Sequence, residues 1–179
     1  MSIKMLSCMI SLLCIVTGIL GDCENIRILN KKLQYTNRLE YMKYNFPINY
    51  TIRVHREEVL RASKVTRLMQ RYNATESDLQ KLWWFTSNNI VKRIRDVLPK
   101  KHPSYNYTTD LQNIMEETLN TTEDDVLDTW IPGGIVHDIM SRLRSPEEKR
   151  PLKSVKPKTL LDNCFKVMDM LFSAICKLH

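Results

Sequence analysis

The sequence predicts an all-α domain, and three observations carry that reading. Apolar residues recur at three- and four-residue steps through most of the chain, the repeat of a helix with one buried face. Glycine supplies only 4 of 179 residues, two of them at Gly18 and Gly21, so hairpin turns that need positive φ are scarce. Prolines and capping residues stand at the ends of the apolar stripes. With 43% apolar and 26% charged residues the balance is that of a globular chain, and the length suits one domain. The shortage of glycine also excludes the Gly-rich phosphate cradles of nucleotide-binding folds.

Residues 1–21 read as a signal peptide. Lys4 gives a positive start, and Met5 to Leu20 is apolar but shorter than the roughly 20 residues a membrane span needs. Small residues at Gly18 and Gly21 suit cleavage, expected after Gly21. The chain is therefore expected to be secreted and extracellular, with one helical domain over residues 22–179.

The elements follow in order. Ile28, Tyr35, Leu39, Met42 and Phe46 form the stripe of a first helix that Pro47 stops. Ile48 to Val54 alternates apolar and polar residues, a short strand segment near residues 48–54. Arg61, Lys64, Arg67 and Arg71 give the next helix a basic face. Thr75-Glu-Ser-Asp78 resembles a capping box with Asp in place of Glu. It opens a helix whose stripe is Leu79, Trp83, Thr86, Ile90, Ile94 and Val97, closed by Pro99; Trp84 falls off the stripe and is expected to be partly exposed. Thr109-Asp110 can cap a helix carrying Leu111, Ile114, Met115 and Leu119, and Thr122-Glu-Asp-Asp125 starts a further short segment that Trp130-Ile-Pro-Gly-Gly134 breaks. Val136, Ile139, Met140 and Leu143 continue. Residues 145–158 hold Pro146, Pro151 and Pro157 among charged residues, an exposed connection. The last helix carries a heptad-like seam of Leu161, Cys164, Met168, Leu171, Ile175 and Leu178.

Removing the leader takes Cys8 and Cys14 with it and leaves Cys23, Cys164 and Cys176, an odd number that implies one bridge and one remaining thiol. The seam places Cys164 inward as a small core residue, so Cys176, on its flank, is the better partner for Cys23. In a secreted chain Asn49-Tyr-Thr51, Asn73-Ala-Thr75, Asn106-Tyr-Thr108 and Asn120-Thr-Thr122 are N-glycosylation acceptors at Asn49, Asn73, Asn106 and Asn120.

Catalytic patterns are not found. His55, His102, His137 and His179 are scattered, without metal-ligand spacing. His137-Asp138 lacks the flanking cysteines and Gly-rich calcium loop of a secreted phospholipase A2. The acidic runs Glu116-Glu117 and Glu123-Asp124-Asp125 read as helical faces and caps, and neither a nucleophile elbow nor a local cysteine–histidine pair occurs. The reading is of a non-enzyme without cofactor or metal. The formal charge is +7, with clusters at Lys92-Arg93-Arg95 and Lys100-Lys101-His102. Outside the cell these fit an acidic receptor patch or the sulfated glycan of a proteoglycan better than a nucleic acid.

Particular strings sharpen the picture of a secreted helical signalling protein. Lys32-Leu-Gln-Tyr35, Arg38-Leu39, Tyr41-Met-Lys43 and Phe46-Pro-Ile-Asn-Tyr50 resemble the first helix and strand of the interleukin-34 family. Val65-Thr-Arg-Leu68, Asp96-Val-Leu98, His102-Pro-Ser104, Pro157-Lys158 and Leu160-Leu-Asp-Asn-Cys-Phe165 extend the resemblance in order across the chain. Two departures stand out. Ser173 and Ile175 occupy a stretch where relatives carry a second disulfide, and Lys64 replaces a relative's glycan acceptor.

The resemblance implies a short-chain four-helix-bundle cytokine with extra short helices. It would form a non-covalent homodimer and bind and dimerise the macrophage colony-stimulating factor receptor, a receptor tyrosine kinase, promoting monocyte and macrophage survival, proliferation and differentiation. It also implies a Cys23–Cys176 bridge with Cys164 left free, and receptor contact at Lys32 and Leu98. Lys92, Arg93 and Arg95 share that stretch but are basic where mammalian relatives are acidic or neutral. The alternative is a secreted carrier of a lipid or small hydrophobic ligand, which would need an internal apolar cavity lined by the seam residues.

Overall fold

A computed structural model describes residues 23–129, 134–144 and 151–178, with side chains placed through 119 in the first of these. The expected signal peptide and the first part of the 145–158 connection lie outside them. The elements are α1 (residues 23–32), α2 (Tyr35–Leu39) running into a π-helical turn (Glu40–Tyr44), β1 (Ile52–His55) followed by a 3-10 turn (Arg56–Glu58), α3 (Ala62–Tyr72), α4 (Glu76–Asp96), α5 (Tyr105–Thr129), α6 (Ile135–Arg144), β2 (Leu152–Val155) and α7 (Pro157–Cys176).

Named contacts fix the direction of the four principal helices. Asn25 Nδ2 donates to Thr118 Oγ1 (2.7 Å) and Tyr107 Oη donates to the Lys32 carbonyl (2.9 Å), so α1 runs antiparallel to α5. The disulfide from Cys23 to Cys176 joins the start of α1 to the end of α7, so that pair is antiparallel too. Gln80 Nε2 donates to the Leu171 carbonyl (3.0 Å) and Trp83 Nε1 to the Cys164 carbonyl (2.9 Å), which sets α4 against α7. A short link reverses the chain from α4 into α5, which pack together. The helices α1 and α4 therefore point one way and α5 and α7 the other. This is the up-up-down-down arrangement, with two long crossovers. Each crossover contributes one strand. β1 and β2 pair antiparallel with Ile52 opposite Val155 and His55 opposite Leu152.

The core fills the bundle with Leu29, Leu79, Trp83, Ile94, Met115, Leu161 and Met168, all closed to solvent. Trp83 meets Trp84 and Phe172 edge-on at centroid distances of 4.8 and 5.2 Å, the favoured aromatic geometry. Cys164 stays a free, buried thiol, and burial pushes its pKa up to about 11, so it remains protonated and unreactive.

Several expectations need correction. The first stripe is out of phase: Ile26, Leu29 and Leu33 face the core, whereas Tyr35 is exposed. The helix breaks at residues 33–34, and one stripe read across a break loses register. The π turn then adds residues per turn and brings Met42 inward. Ile48 is exposed and the strand starts only at Ile52. Trp84 is 4% exposed, not partly open, because α5, α6, α7 and β1 surround α4 and bury more than one stripe. Val97 and Ile175 are exposed instead.

Thr109 does not cap α5. The helix begins at Tyr105, and the Thr109 hydroxyl donates back to the Tyr105 carbonyl (3.0 Å) from inside it. Nor does a new segment start at Thr122, since α5 runs through to Thr129. The 145–158 connection holds β2, and Pro157 already begins α7, at the helix position where its missing N–H costs nothing. The Thr75 cap is half as expected: its hydroxyl accepts from Asp78 N (3.1 Å), while the Asp78 carboxylate accepts that same hydroxyl (2.7 Å).

Candidate functional site

The residues expected to meet a receptor do not share one open face. Lys32, near the end of α1, is held by α5. Tyr107 Oη binds its carbonyl, and its ammonium pairs with Asp110 at 2.9 Å. Tyr107 in turn stacks on Tyr41 at 4.3 Å, and burial raises its phenol pKa, keeping it a hydrogen-bond donor. Lys32 is thus a positioned charge on a partly exposed surface.

Arg93 turns the other way. Its Nε and Nη2 both reach Glu58 Oε1, at 3.0 and 2.6 Å, and Glu58 Oε2 accepts the backbone N–H of His55 at 2.7 Å. Glu58 is buried, so Arg93 neutralises a carboxylate at the end of β1. Its first task is structural. Replacing Arg93 by Glu sets a second carboxylate beside a buried one. We expect it to cost roughly 2–3 kcal/mol in urea unfolding, somewhat less than for a fully enclosed pair because the arginine is partly solvated. Lys92→Glu, on the open face, should move stability by no more than about 0.5 kcal/mol.

Leu98 is only 8% exposed and belongs to the core, not to the solvent face. The reason lies in the link that follows it. The His102 ring meets the Asn45 carbonyl through Nε2 (2.9 Å), and its Nδ1 accepts from Ser104 N (3.1 Å), which assigns the proton to Nε2. Ser104 Oγ donates to the Tyr41 carbonyl at 2.5 Å. These bonds clamp the link after α4 onto the π turn, and Leu98, at the head of that link, is buried. Lys92, Lys100 and Lys101 remain exposed, and Arg95 pairs only loosely with Asp96, at 3.3 Å.

A feature that the periodicity missed lies at the opposite flank of the π turn. A cleft of about 550 Å³ opens between that turn and the start of α7, walled by Leu39, Phe46, Tyr50 and Pro157. Its rim carries Tyr35, Tyr44 and Ile48, the last 88% exposed. The Tyr50 N–H donates to the Pro47 carbonyl (2.9 Å), so Ile48 and Asn49 are the two central residues of a tight turn. Beneath the cleft, Arg38 is buried between the Asp162 carboxylate (2.8 Å) and the Phe165 ring (4.3 Å), and it donates to the Leu33 carbonyl. Lys158 binds the other Asp162 oxygen at 2.7 Å. The network ties α2 to α7 and fixes the floor on which the apolar rim stands.

Three of the four glycan acceptors are on open surface. Asn49 and Asn106 are exposed, as is Asn73, which ends α3 in the left-handed region with φ 50°. Asparagine is one of the few residues that tolerate that conformation, so Asn73 has a structural role beside its sequon. The Asn120 side chain lies outside the described residues.

The up-up-down-down bundle, with two crossover strands paired across its surface, has the architecture of the helical cytokines. A family model described as Interleukin 34 matches residues 19–179, which is nearly the whole chain. The chain belongs to the interleukin-34 family, a family of secreted cytokines and not of enzymes. No described helix is long and apolar enough to cross a membrane.

Proposed function

We propose that this chain is a secreted, N-glycosylated cytokine that pairs non-covalently with a second copy and draws together two ectodomains of the macrophage colony-stimulating factor receptor. Receptor pairing activates the attached kinases and promotes survival, proliferation and differentiation of monocytes and macrophages. The observation that carries this reading is the family match across the whole bundle. A two-fold dimer supplies two identical binding surfaces, which is what pairing two receptors requires. The cysteine arrangement agrees with a non-covalent dimer, since one bridge is internal and Cys164 is buried.

The rim of Tyr35, Tyr44 and Ile48 supports dimerisation, because it gathers three exposed large apolar side chains around one cleft. Receptor contact is then assigned to Lys32, Lys92 and Arg95, with Arg93 and Leu98 contributing by shaping that end of the bundle. Sulfated proteoglycans are a second class of partner for the exposed lysines. The carrier alternative is not favoured, because the family is one of cytokines and seam residues Leu161, Cys164, Met168 and Leu171 are buried against the core.

Light scattering on the glycosylated protein tests the pairing. The wild type should give twice its protomer mass with and without reductant. Ile48→Asp should shift it to the protomer mass at micromolar concentration without changing its circular dichroism. A wild-type monomer, or an Ile48→Asp dimer of unchanged strength, would contradict the proposal.

A further inference from the structure

Lys32 sits in the last turn of α1, where a helix leaves its final carbonyls without intrahelical partners. Side chains take them up. Gln34 Nε2 donates to the Asn30 carbonyl (3.0 Å), and Asn37 Nδ2 to the carbonyls of Lys31 (3.2 Å) and Lys32 (3.1 Å). Arg38 Nη1 donates to the Leu33 carbonyl just past the helix end. All these donors come from the next few residues of the chain. Among the described residues, Tyr107 is the one donor to this helix end from another principal helix. Its Oη reaches the Lys32 carbonyl (2.9 Å) from α5, 75 positions away, and a carbonyl has two lone pairs to serve it and Asn37 together.

The same face of α5 also holds the tip of that lysine. Residues 107 and 110 stand three apart on one helix and are neighbours on its surface. Asp110 Oδ2 accepts from Lys32 Nζ at 2.9 Å, so α5 anchors the lysine at both backbone and ammonium. A partly exposed ion pair orders a long side chain poorly, because it is screened and must overcome rotamer freedom. The backbone anchor is the stiffer of the two. Tyr107 is buried, and its ring lies within 10° of parallel to that of Tyr41. The Tyr41 backbone is itself held by Ser104 Oγ.

A lysine ammonium carries three donors, and Asp110 takes one, which leaves two for an acceptor on a partner. A partner that meets a lysine already held in place loses less conformational freedom on binding than one that meets a mobile lysine. Tyr107 does not itself meet that partner, since its ring is buried and its hydroxyl is engaged. We propose that Tyr107 is the positioning residue of the Lys32 contact. By tying the end of α1 to α5, it aims the ammonium at an acceptor on the receptor, a carboxylate by charge. The inference rests on the reading of Lys32 as a receptor contact.

Tyr107→Phe tests this with little risk to the fold, because Asn37 still donates to the same carbonyl and the ring keeps its stack on Tyr41. In the free secreted chain, carbon relaxation of the Lys32 ε-methylene group should report a less ordered side chain in Tyr107→Phe than in wild type. Against a monomeric receptor ectodomain, Lys32→Met should weaken binding at least about tenfold and Tyr107→Phe about three- to tenfold. In the Lys32→Met background, Tyr107→Phe should change affinity by less than about twofold, because no ammonium is left to aim. Equal losses in the two backgrounds would show a general structural role and overturn the assignment. So would a Lys32 side chain equally ordered in Tyr107→Phe and wild type while Lys32→Met still weakens binding. Lys32→Met binding as tightly as wild type would instead overturn the receptor contact itself, and with it the purpose assigned to Tyr107.

Discussion

Replacing Cys23 and Cys176 together by serine is expected to lower the unfolding free energy by roughly 4–5 kcal/mol, the chain-entropy value for so long a loop. The bridge spans 153 positions and closes the first residues of α1 onto the end of α7. Without it, α1 is held by Ile26, Leu29 and Leu33, by the Asn25–Thr118 bond, and by Arg27 Nε donating to the Cys176 carbonyl at 3.2 Å. These contacts keep the helix docked in the native state but do nothing to restrict the unfolded chain. The effect should therefore appear as a lower urea midpoint with native helix content retained. A loss below about 1 kcal/mol would mean that the unfolded chain stays compact without the bridge.

Trp83→Ala should cost about 3–5 kcal/mol. Its indole is fully buried at the crossing of α4 and α7, packed on Trp84 and Phe172, and its N–H ties α4 to the Cys164 carbonyl. Truncation opens a cavity where the two helices meet and removes the bond that sets their register. Trp83→Phe keeps most of the ring and should lose only about 1–2 kcal/mol, chiefly the hydrogen bond. Against a total domain stability of about 5–15 kcal/mol, the alanine variant stands near the folding threshold and the phenylalanine variant well above it. Chemical denaturation of the two variants separates cavity from hydrogen bond; equal losses would contradict that division.

The parts of this fold that were readable in the sequence are those in which one residue's neighbours settle its environment. α4 announced itself through the Thr75 cap, a stripe with a single phase and Pro99. Cys164 could be set inward and Cys176 aside because α7 is regular over its length. What escaped depended on partners distant in the chain. Arg38 looks like a surface arginine until Asp162 and Phe165, more than 120 positions later, enclose it. β2 could not be seen because its burial pattern has three exposed residues of four, and only pairing with β1 makes it a strand. The resemblance puts Arg93 and Leu98 in the receptor-contact stretch, yet neither side chain lies fully open. The buried Glu58 claims the one, and the other is buried at the head of a link that His102–Asn45 and Ser104–Tyr41 bonds hold to the π turn. The apolar rim at Ile48 was concealed by the same alternation that suggested a strand there.

The receptor-pairing account is tested most directly by adding the purified secreted protein to cells carrying the cognate macrophage colony-stimulating factor receptor and reading receptor tyrosine phosphorylation. The account predicts that wild type triggers phosphorylation and that Ile48→Asp, folded but monomeric, binds the receptor ectodomain without triggering it. A folded, dimeric wild type that leaves the receptor unphosphorylated, or a monomeric Ile48→Asp as active as wild type, would contradict it.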